Sequence, residues 1–333
     1  MDIGEVKQLG DKLCENIERV IIGKTTEIRL ILAALLAGGH VLLEDVPGTG
    51  KTILAKALAR SIDVGFRRVQ FTPDLLPSEL TGLNVYSPKT GEFSFRYGSL
   101  FTNILLADEI NRASPRTQSG LLESMEERQV SVDGKTYALP SPYFVIATQN
   151  PIETQGTFPL PEAQLDRFLV QLKLGYPDET ETIDVLKRYV VNENSKNDEN
   201  EFVSPLDALK PICGEEEMLQ AIAATRGVYI HDEVFRYIVK LAEATRTHEG
   251  VALGVSTRGC VSLSRIAQAH VALAGRTYAT PDDIKALALP VFTHRLILRG
   301  GRQNLQAQKV IADVLESVEP PVEEWPTTPT SNK

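Results

Sequence analysis

Residues 45–52 have the types and spacing of a loop that binds phosphate groups. They read Asp-Val-Pro-Gly-Thr-Gly-Lys-Thr, and they lie between an apolar run at residues 40–44, which predicts a buried strand, and a helical pattern at residues 51–61. In such a loop the backbone N–H groups and the positive helix end hold a β-phosphate, Lys51 reaches the β and γ oxygens, and Thr52 places its hydroxyl on Mg²⁺. The predicted phosphate-binding residues are Gly48, Thr49, Gly50, Lys51 and Thr52.

Asp45 stands at the first position of this loop, where the usual pattern has glycine. A side chain is tolerated at a strand end, but a carboxylate repels a polyphosphate unless it points away. The alternative interpretation, an ordinary Gly-Pro turn, leaves the sequence Gly-Lys-Thr at the start of a helix unexplained.

Two further predicted strands end in polar side chains. The strand at residues 104–107 is followed by Asp108 and Glu109, and the strand at residues 143–147 leads to Asn150. Adjacent carboxylates after an apolar strand are costly unless a cation or a polarised water meets them. We expect Asp108 to serve the Mg²⁺ site together with Thr52, and Glu109 to be the base that aligns the attacking water. Asn150 could hold the γ-phosphate or the water, although asparagine before proline usually only starts a turn.

The alternation of strands and helices predicts an α/β fold with a parallel sheet covered by helices on both faces. Two hairpins are predicted within it, at residues 84–95 and 129–138, the second with a two-residue Asp-Gly turn. After residue 177 the strand patterns give way to helical ones, at residues 179–191, 215–225, 232–245, 258–273 and 281–288. We therefore expect an α/β domain at 1–176, a smaller all-α domain at 177–318 and a Pro-rich tail at 319–333, which contains Trp325.

The composition excludes several classes of protein. The 333 residues carry 35 Lys and Arg against 44 Asp and Glu, and the net charge of −9 disfavours a broad surface for duplex nucleic acid. Three cysteines do not form a disulfide framework, and the five histidines lack zinc spacing. No apolar run is long enough to span a bilayer, and the first residues do not resemble a secretory signal. We expect a cytoplasmic protein.

The order of these features carries a family resemblance. Lys51, Asp108 and Asn150 are followed by residues 165–168, which read Leu-Asp-Arg-Phe, and by residues 256–258, which read Ser-Thr-Arg. This series resembles the AAA+ ATPases. The phrases LLEDVPGTGKT, LLADEINRASPRTQ, FVIATQNP and FPLPEAQLDRF resemble specifically the MoxR-type branch, and the likeness covers about residues 17–300.

The resemblance implies roles for further residues. Asn150 matches the sensor 1 position, and Arg167 matches the arginine finger that reaches the γ-phosphate in the neighbouring subunit. Arg258 matches sensor 2, which contacts the nucleotide of its own subunit. The segment 20–23, with Ile22 and Gly23, matches the part that packs on adenine. For either arginine taken alone, a surface ion pair is the ordinary interpretation.

The resemblance also implies a function. ATP and Mg²⁺ are the expected cofactors, and the expected assembly is a homo-oligomer, a hexameric ring by the family likeness. Hydrolysis would drive chaperone-like remodelling, assembly or activation of a protein client. Proteins with a von Willebrand factor A domain are among the clients that the resemblance implies. The hairpin aromatics Tyr86, Phe93, Phe95 and Tyr137 are candidates for client contacts, and core packing is an equal alternative for the phenylalanines. Three other functions stay open: the motor subunit of a metal-chelatase-type complex, a DNA translocase or helicase subunit, and a nucleotide-gated binding module.

Overall fold

The computed structural model describes residues 1–151, 156–188, 204–300 and 304–321. The strands are β1 (Val41–Glu44), β2 (Phe66–Gln70), β3 (Gly82–Ser87), β4 (Glu92–Tyr97), β5 (Ile104–Asp108), β6 (Gln129–Val132), β7 (Lys135–Ala138), β8 (Phe144–Gln149), β9 (Val170–Leu172), β10 (Val251–Leu253) and β11 (Ile297–Leu298). The helices are α1 (Ile3–Glu18), α2 (Thr25–Leu36), α3 (Lys51–Ile62), α4 (Pro77–Thr81), α5 (Pro115–Glu127), α6 (Glu162–Leu165), α7 (Glu179–Leu186), α8 (Glu215–Thr225), α9 (Asp232–Thr247), α10 (Thr257–Leu273), α11 (Pro281–Phe292) and α12 (Asn304–Ser317). Short 3₁₀ turns lie at Ile110–Arg112 and Thr293–Arg295.

A five-stranded parallel sheet forms the centre of the molecule, in the order β2-β5-β8-β1-β9. The three predicted strands are its three inner strands, so the predicted α/β fold is confirmed. Alternate residues of a strand point to opposite faces. In β1, Val41 and Leu43 join the core on one face, whereas Leu42 joins the core on the other. Both faces are therefore covered, as the continuous apolar runs of these strands require.

The two edge strands are absent from the sequence prediction. β2 reads Phe-Arg-Arg-Val-Gln, and only its valine is buried. β9 has three residues, too few for a period-2 pattern. Edge strands tolerate charge because one side of their ladder has no partner strand. The positions at which the inner strands end were nevertheless predicted to within two residues.

The two predicted hairpins are present and contact each other. β3 pairs with β4, and β6 pairs with β7 around Asp133. The ring of Phe95 stacks on Tyr137 with centroids 4.0 Å apart and planes at 8°. The Asn84 amide donates to the Asp133 carboxylate at 2.6 Å. An aromatic stack and a hydrogen bond to a charged group thus join the two hairpins into one unit.

Helices α8 to α12 form the helical part of the chain. It shares a hydrophobic core with α1, α2 and one face of the sheet, because α10 packs against both amino-terminal helices. The division of the chain at residue 177 stays a prediction. The predicted helix 179–191 ends as α7 at Leu186. Residues 189–191 of that prediction lie outside the described ranges, and so does Trp325. Among the described helices, none is both long and apolar enough to cross a membrane.

Candidate active site

The loop between β1 and α3 has the backbone that a phosphate cradle needs. Gly48 and Gly50 have φ values of +88° and +84°, in the left-handed region that favours glycine. Gly50 is the N-cap of α3 and directly precedes its first residue, so the first N–H groups of α3 point into the loop. The Lys51 ammonium lies over the loop and donates to the carbonyl oxygens of Asp45 and Val46, at 3.1 and 2.7 Å.

The Asp45 carboxylate points away from this loop. One of its oxygens accepts from the Val46 N–H at 2.9 Å, and the other accepts from the N–H groups of Leu174 and Gly175, both at 2.8 Å. Three backbone donors satisfy the buried charge. Asp45 therefore fastens the chain that follows β9 to the loop, and its charge faces those donors.

Thr148, in β8, fixes the relation between the two acids. Its hydroxyl donates to the Asp108 carboxylate at 2.6 Å and accepts from the Glu109 N–H at 2.8 Å. Glu109 has a φ of +56°, which is uncommon for a residue other than glycine and is held only where the surroundings enforce it. The hydroxyl of Thr148 is thus one of the groups that hold Glu109 in this conformation.

Arg68 and Gln70, both in β2, reach the same two acids and were not predicted from the sequence. The Arg68 guanidinium donates two N–H groups to one oxygen of Asp108, at 2.6 and 3.1 Å. The Gln70 amide donates to Glu109 at 2.9 Å, and Arg112 forms an ion pair with the same Glu109 oxygen at 2.9 Å. Their one signal in the sequence was the run of polar side chains in β2, the edge strand that pairs with β5.

These groups surround one cavity of about 370 Å³. Lys51, Thr52, Asp108, Glu109 and Asn150 all line it, together with the loop glycines. The structure thus brings the three predicted strand ends to one edge of the sheet, where ligands bind in open α/β sheets. The catalytic roles assigned to these residues stay proposals.

The cavity fits a magnesium ion by the chemistry of its donors. Asp108 offers a carboxylate that already binds a cation, the Arg68 guanidinium, and Thr52, which carries a hydroxyl, lines the same cavity. Within the described ranges, no group of three or more His, Cys, Asp or Glu could hold a metal by itself. Mg²⁺ needs no such cage, because it takes one or two protein oxygens together with phosphate oxygens and waters.

The segment 20–23 borders the loop, and its predicted contact with adenine stays a prediction. An ideal Cβ on Gly50 would lie 3.6 Å from the Cδ1 atom of Ile21. Ile21 is buried, whereas Ile22 is partly exposed. Gly23 has a φ of +72°, and a Cβ there would collide with the Glu181 side chain. The segment therefore lies where it could contact a bound base, between the loop and α7.

The two predicted arginines lie in a second cavity, of about 220 Å³. Arg167 pairs with one oxygen of Glu126 at 3.0 Å, and Arg258 pairs with the other at 2.5 Å. Neither arginine is among the described residues that line the first cavity. The expected contact of Arg258 with the nucleotide of its own subunit stays a prediction; the structure places its side chain beside Arg167.

The chain around Arg167 is anchored by a buried arginine that the sequence analysis did not identify. Arg295 pairs with Asp166 at 2.7 Å and donates to the carbonyl oxygen of Phe168 at 2.7 Å. Burial lowers the pKa of Arg295 below its usual range, and Asp166 opposes this effect. Ser256, beside the first turn of α10, also donates to Asp166 at 3.1 Å. Arg167 therefore projects from a backbone that is fixed to the helical part.

Positive charge dominates the second cavity. Arg128 and Arg265 line it with the two predicted arginines. Burial, and then the nearby charges of Arg226 and Arg265, lower the pKa of Arg128. A cluster of like charges is costly unless an anion offsets it. Glu126 and Asp166 also line the cavity, but the four arginines outnumber them, so the cavity is suited to an additional anionic group.

A parallel sheet with a glycine-rich loop, a helix start and an acid pair at its carboxyl edge defines a P-loop nucleotide-binding protein. The family model described as "ATPase family associated with various cellular activities (AAA)" matches residues 40–170, and the AAA lid domain matches residues 243–318.

Similar proteins identify the family within this class. The uncharacterized protein YeaC of Bacillus subtilis is 48% identical over 94% of this chain and 95% of its own. Chaperone MoxR1 of Mycobacterium tuberculosis is 39% identical over 85% of this chain and 74% of its own. A crystal structure of a candidate ATPase from Cytophaga hutchinsonii superposes with a TM-score of 0.83 at 35% identity, and the match covers 95% of this chain and 96% of that one. The chain belongs to the MoxR-type branch of the AAA+ ATPases.

Proposed function

We propose that this protein hydrolyses ATP with Mg²⁺ and uses the energy to remodel, assemble or activate a protein client. The observation that carries the proposal is the shared cavity, in which Lys51 and Thr52 face an acid pair that Thr148 holds in place. Positioning and charge stabilisation supply most of the catalysis of phosphoryl transfer, and this cavity offers both.

Each residue then has one task. The N–H groups of Gly48 to Thr52 bind the β-phosphate, and Lys51 exchanges its carbonyl partners for β and γ oxygens. Thr52 and Asp108 would hold Mg²⁺, which neutralises developing phosphate charge when bound. Glu109 orients the attacking water and accepts its proton, and Asn150 donates its amide to the water or the γ-phosphate.

The position of the arginines supports an active site shared between subunits. Arg167 and Arg258 project together into a separate cationic cavity, and we propose that both serve the γ-phosphate bound to the adjacent subunit. This revises the expected role of Arg258 within its own subunit. A guanidinium suits the task because it is planar, multiply donating and always protonated. A head-to-tail interface forms a closed ring when the rotation between subunits closes, and we propose that this one closes as a hexamer.

The hairpin unit is the proposed client surface. Tyr86 and Phe93 are 52% and 71% exposed, whereas Phe95 packs against Tyr137 between the hairpins. Exposed aromatic side chains are typical of binding surfaces. A client with a von Willebrand factor A domain is the partner we propose to test first. Phe93→Ser should retain basal ATP turnover and lose its stimulation by the client.

Turnover of Glu109→Gln tests the activity itself. We expect release of phosphate to fall by at least about 100-fold, because the base is lost while the shape of the site is kept. Binding of a fluorescent ATP analogue should persist. Glu123→Gln, an exposed position on α5, is the control. Wild-type turnover in Glu109→Gln would remove the assigned base, and an inactive wild-type oligomer would remove the proposed function.

A further inference from the structure

Glu126 joins the two arginines, and nothing in the sequence motifs singles it out. It lies at the carboxyl end of α5, Arg167 follows α6, and Arg258 is in the first turn of α10. Oε2 of Glu126 meets Nε of Arg167 at 3.0 Å, and Oε1 meets Nη2 of Arg258 at 2.5 Å. One carboxylate in the lining of the cationic cavity therefore connects three separate parts of the chain.

The geometry leaves both arginines able to bind a phosphate. A guanidinium has five N–H donors in a fixed plane. Arg167 meets Glu126 at Nε, and Arg258 donates to it from Nη2. Each arginine thus keeps further N–H groups for an anion while it remains paired. The carboxylate also offsets the repulsion between two guanidinium groups that must approach the same phosphate.

Stability does not explain this arrangement. The side chains of Glu126, Arg167 and Arg258 are 38%, 29% and 47% exposed. Ion pairs at such exposure contribute little to the free energy of unfolding. Their value lies in geometry, because two long, flexible side chains would otherwise sample many rotamers.

We propose that Glu126 is a positioning residue that sets Arg167 and Arg258 as a pair for the triphosphate bound to the adjacent subunit. This inference rests on the proposed function. Glu126 acts through the arginines, and each of its two oxygens holds one of them. A glutamine keeps the size of the side chain and has a single acceptor oxygen, so it can hold only one of the two.

Glu126→Gln is the first test, with Glu127→Gln, an exposed neighbour on the same helix, as the matched control. We expect kcat to fall about ten-fold in Glu126→Gln, because displaced catalytic groups act poorly on the transition state. KM and the affinity for a fluorescent ADP should stay at wild-type values, since the subunit's own loop is intact. Equal kcat values for the two variants would overturn the proposal, and so would an effect confined to KM.

A mixing experiment separates positioning between subunits from a local defect. A Glu126→Gln subunit has an intact acid pair, and a Glu109→Gln subunit has intact arginines. In a random equal mixture, about a quarter of the interfaces combine an intact acid pair with an intact arginine pair. We therefore expect turnover near one quarter of wild type, several times the average of the two variants alone.

The outcomes distinguish this inference from the function on which it rests. Turnover of the mixture no greater than the average of its components would show that Glu126 acts within its own subunit, and it would overturn the inference. Wild-type protein without ATP turnover would instead overturn the proposed function. Thermal unfolding and sedimentation of Glu126→Gln should match wild type, which excludes a fold or assembly defect as the cause.

Discussion

Replacement of Thr148 by valine tests whether the acid pair is held as a unit. Thr148 is 1% exposed, and its hydroxyl links Asp108 to the backbone of Glu109 at 2.6 and 2.8 Å. Valine has a similar shape and offers neither donor nor acceptor. The variant therefore loses a hydrogen bond to a charged group and leaves a backbone N–H of Glu109 without its acceptor.

The structure gives the size of the effect. A hydrogen bond to a charged group contributes about 1.5–3 kcal/mol, and an unsatisfied buried donor costs about 1–3 kcal/mol. We expect the free energy of unfolding to fall by about 3 kcal/mol. Glu109 is also held by Gln70 and Arg112, so part of the loss is absorbed. If roughly half of the lost free energy is lost from stabilisation of the transition state, kcat falls about ten-fold, because about 1.4 kcal/mol corresponds to a factor of ten.

Urea unfolding and phosphate release at saturating ATP measure the two effects, with Thr148→Ser as the control that keeps the hydroxyl. Thr148→Ser should retain most of the turnover. Wild-type kcat in Thr148→Val would refute the argument, and so would equal losses in the valine and serine variants.

Three further predictions follow from single side chains. Asp45→Asn should leave the affinity for ATP unchanged in a fluorescent nucleotide titration, because the carboxylate faces backbone donors; a large gain in affinity would show that its charge repels the phosphates. Arg295→Met should lower the free energy of unfolding in urea by about 3 kcal/mol, since it leaves Asp166 without its buried partner; a loss near zero would contradict this. Burial lowers the pKa of His40 to about 4, so the unfolded chain binds a proton that the folded chain does not as the pH falls from about 6.5 to 4. Titration of His40 should therefore lower the free energy of unfolding by about 3 kcal/mol across that window. Urea titrations at several pH values should show a shallower decline for His40→Gln.

The inner strands and the residues that follow them were predictable because two sequence features identify each one. Apolar runs identify β1, β5 and β8, and a charged or polar residue follows each at the carboxyl edge. The parallel order of the sheet then brings Lys51, Asp108 and Asn150 to one cavity. Local pattern and tertiary structure agree here, as minimally frustrated sequences require.

The contacts across the sheet could not be predicted in the same way. Arg68 lies in β2, an edge strand whose polar composition does not predict a strand. Its side chain reaches Asp108 because β2 and β5 pair with Gln70 opposite Asp108. Thr148 was overlooked because the chemistry was assigned to Asn150, two residues further on. Asp45 could be recognised as unusual, whereas two of its three backbone donors follow β9, a strand too short to predict.

The surroundings of Arg258 could not be predicted from the sequence for a different reason. The sequence places it at the start of a helix, and the site it meets depends on how α10 packs on α1, α2 and α11. That packing buries residues from most of the chain in one core, so no local pattern specifies it. Glu126 has the appearance of a solvated residue at a helix end, and only the folded chain reveals that it meets two arginines.

The shared active site is tested most directly by the turnover of the wild-type protein per subunit, measured across a range of protein concentrations alongside sedimentation. If arginines from the adjacent subunit complete the site, specific activity is low where monomers dominate and rises together with the fraction assembled. A specific activity that stays constant from the monomer to the assembled state would contradict the account.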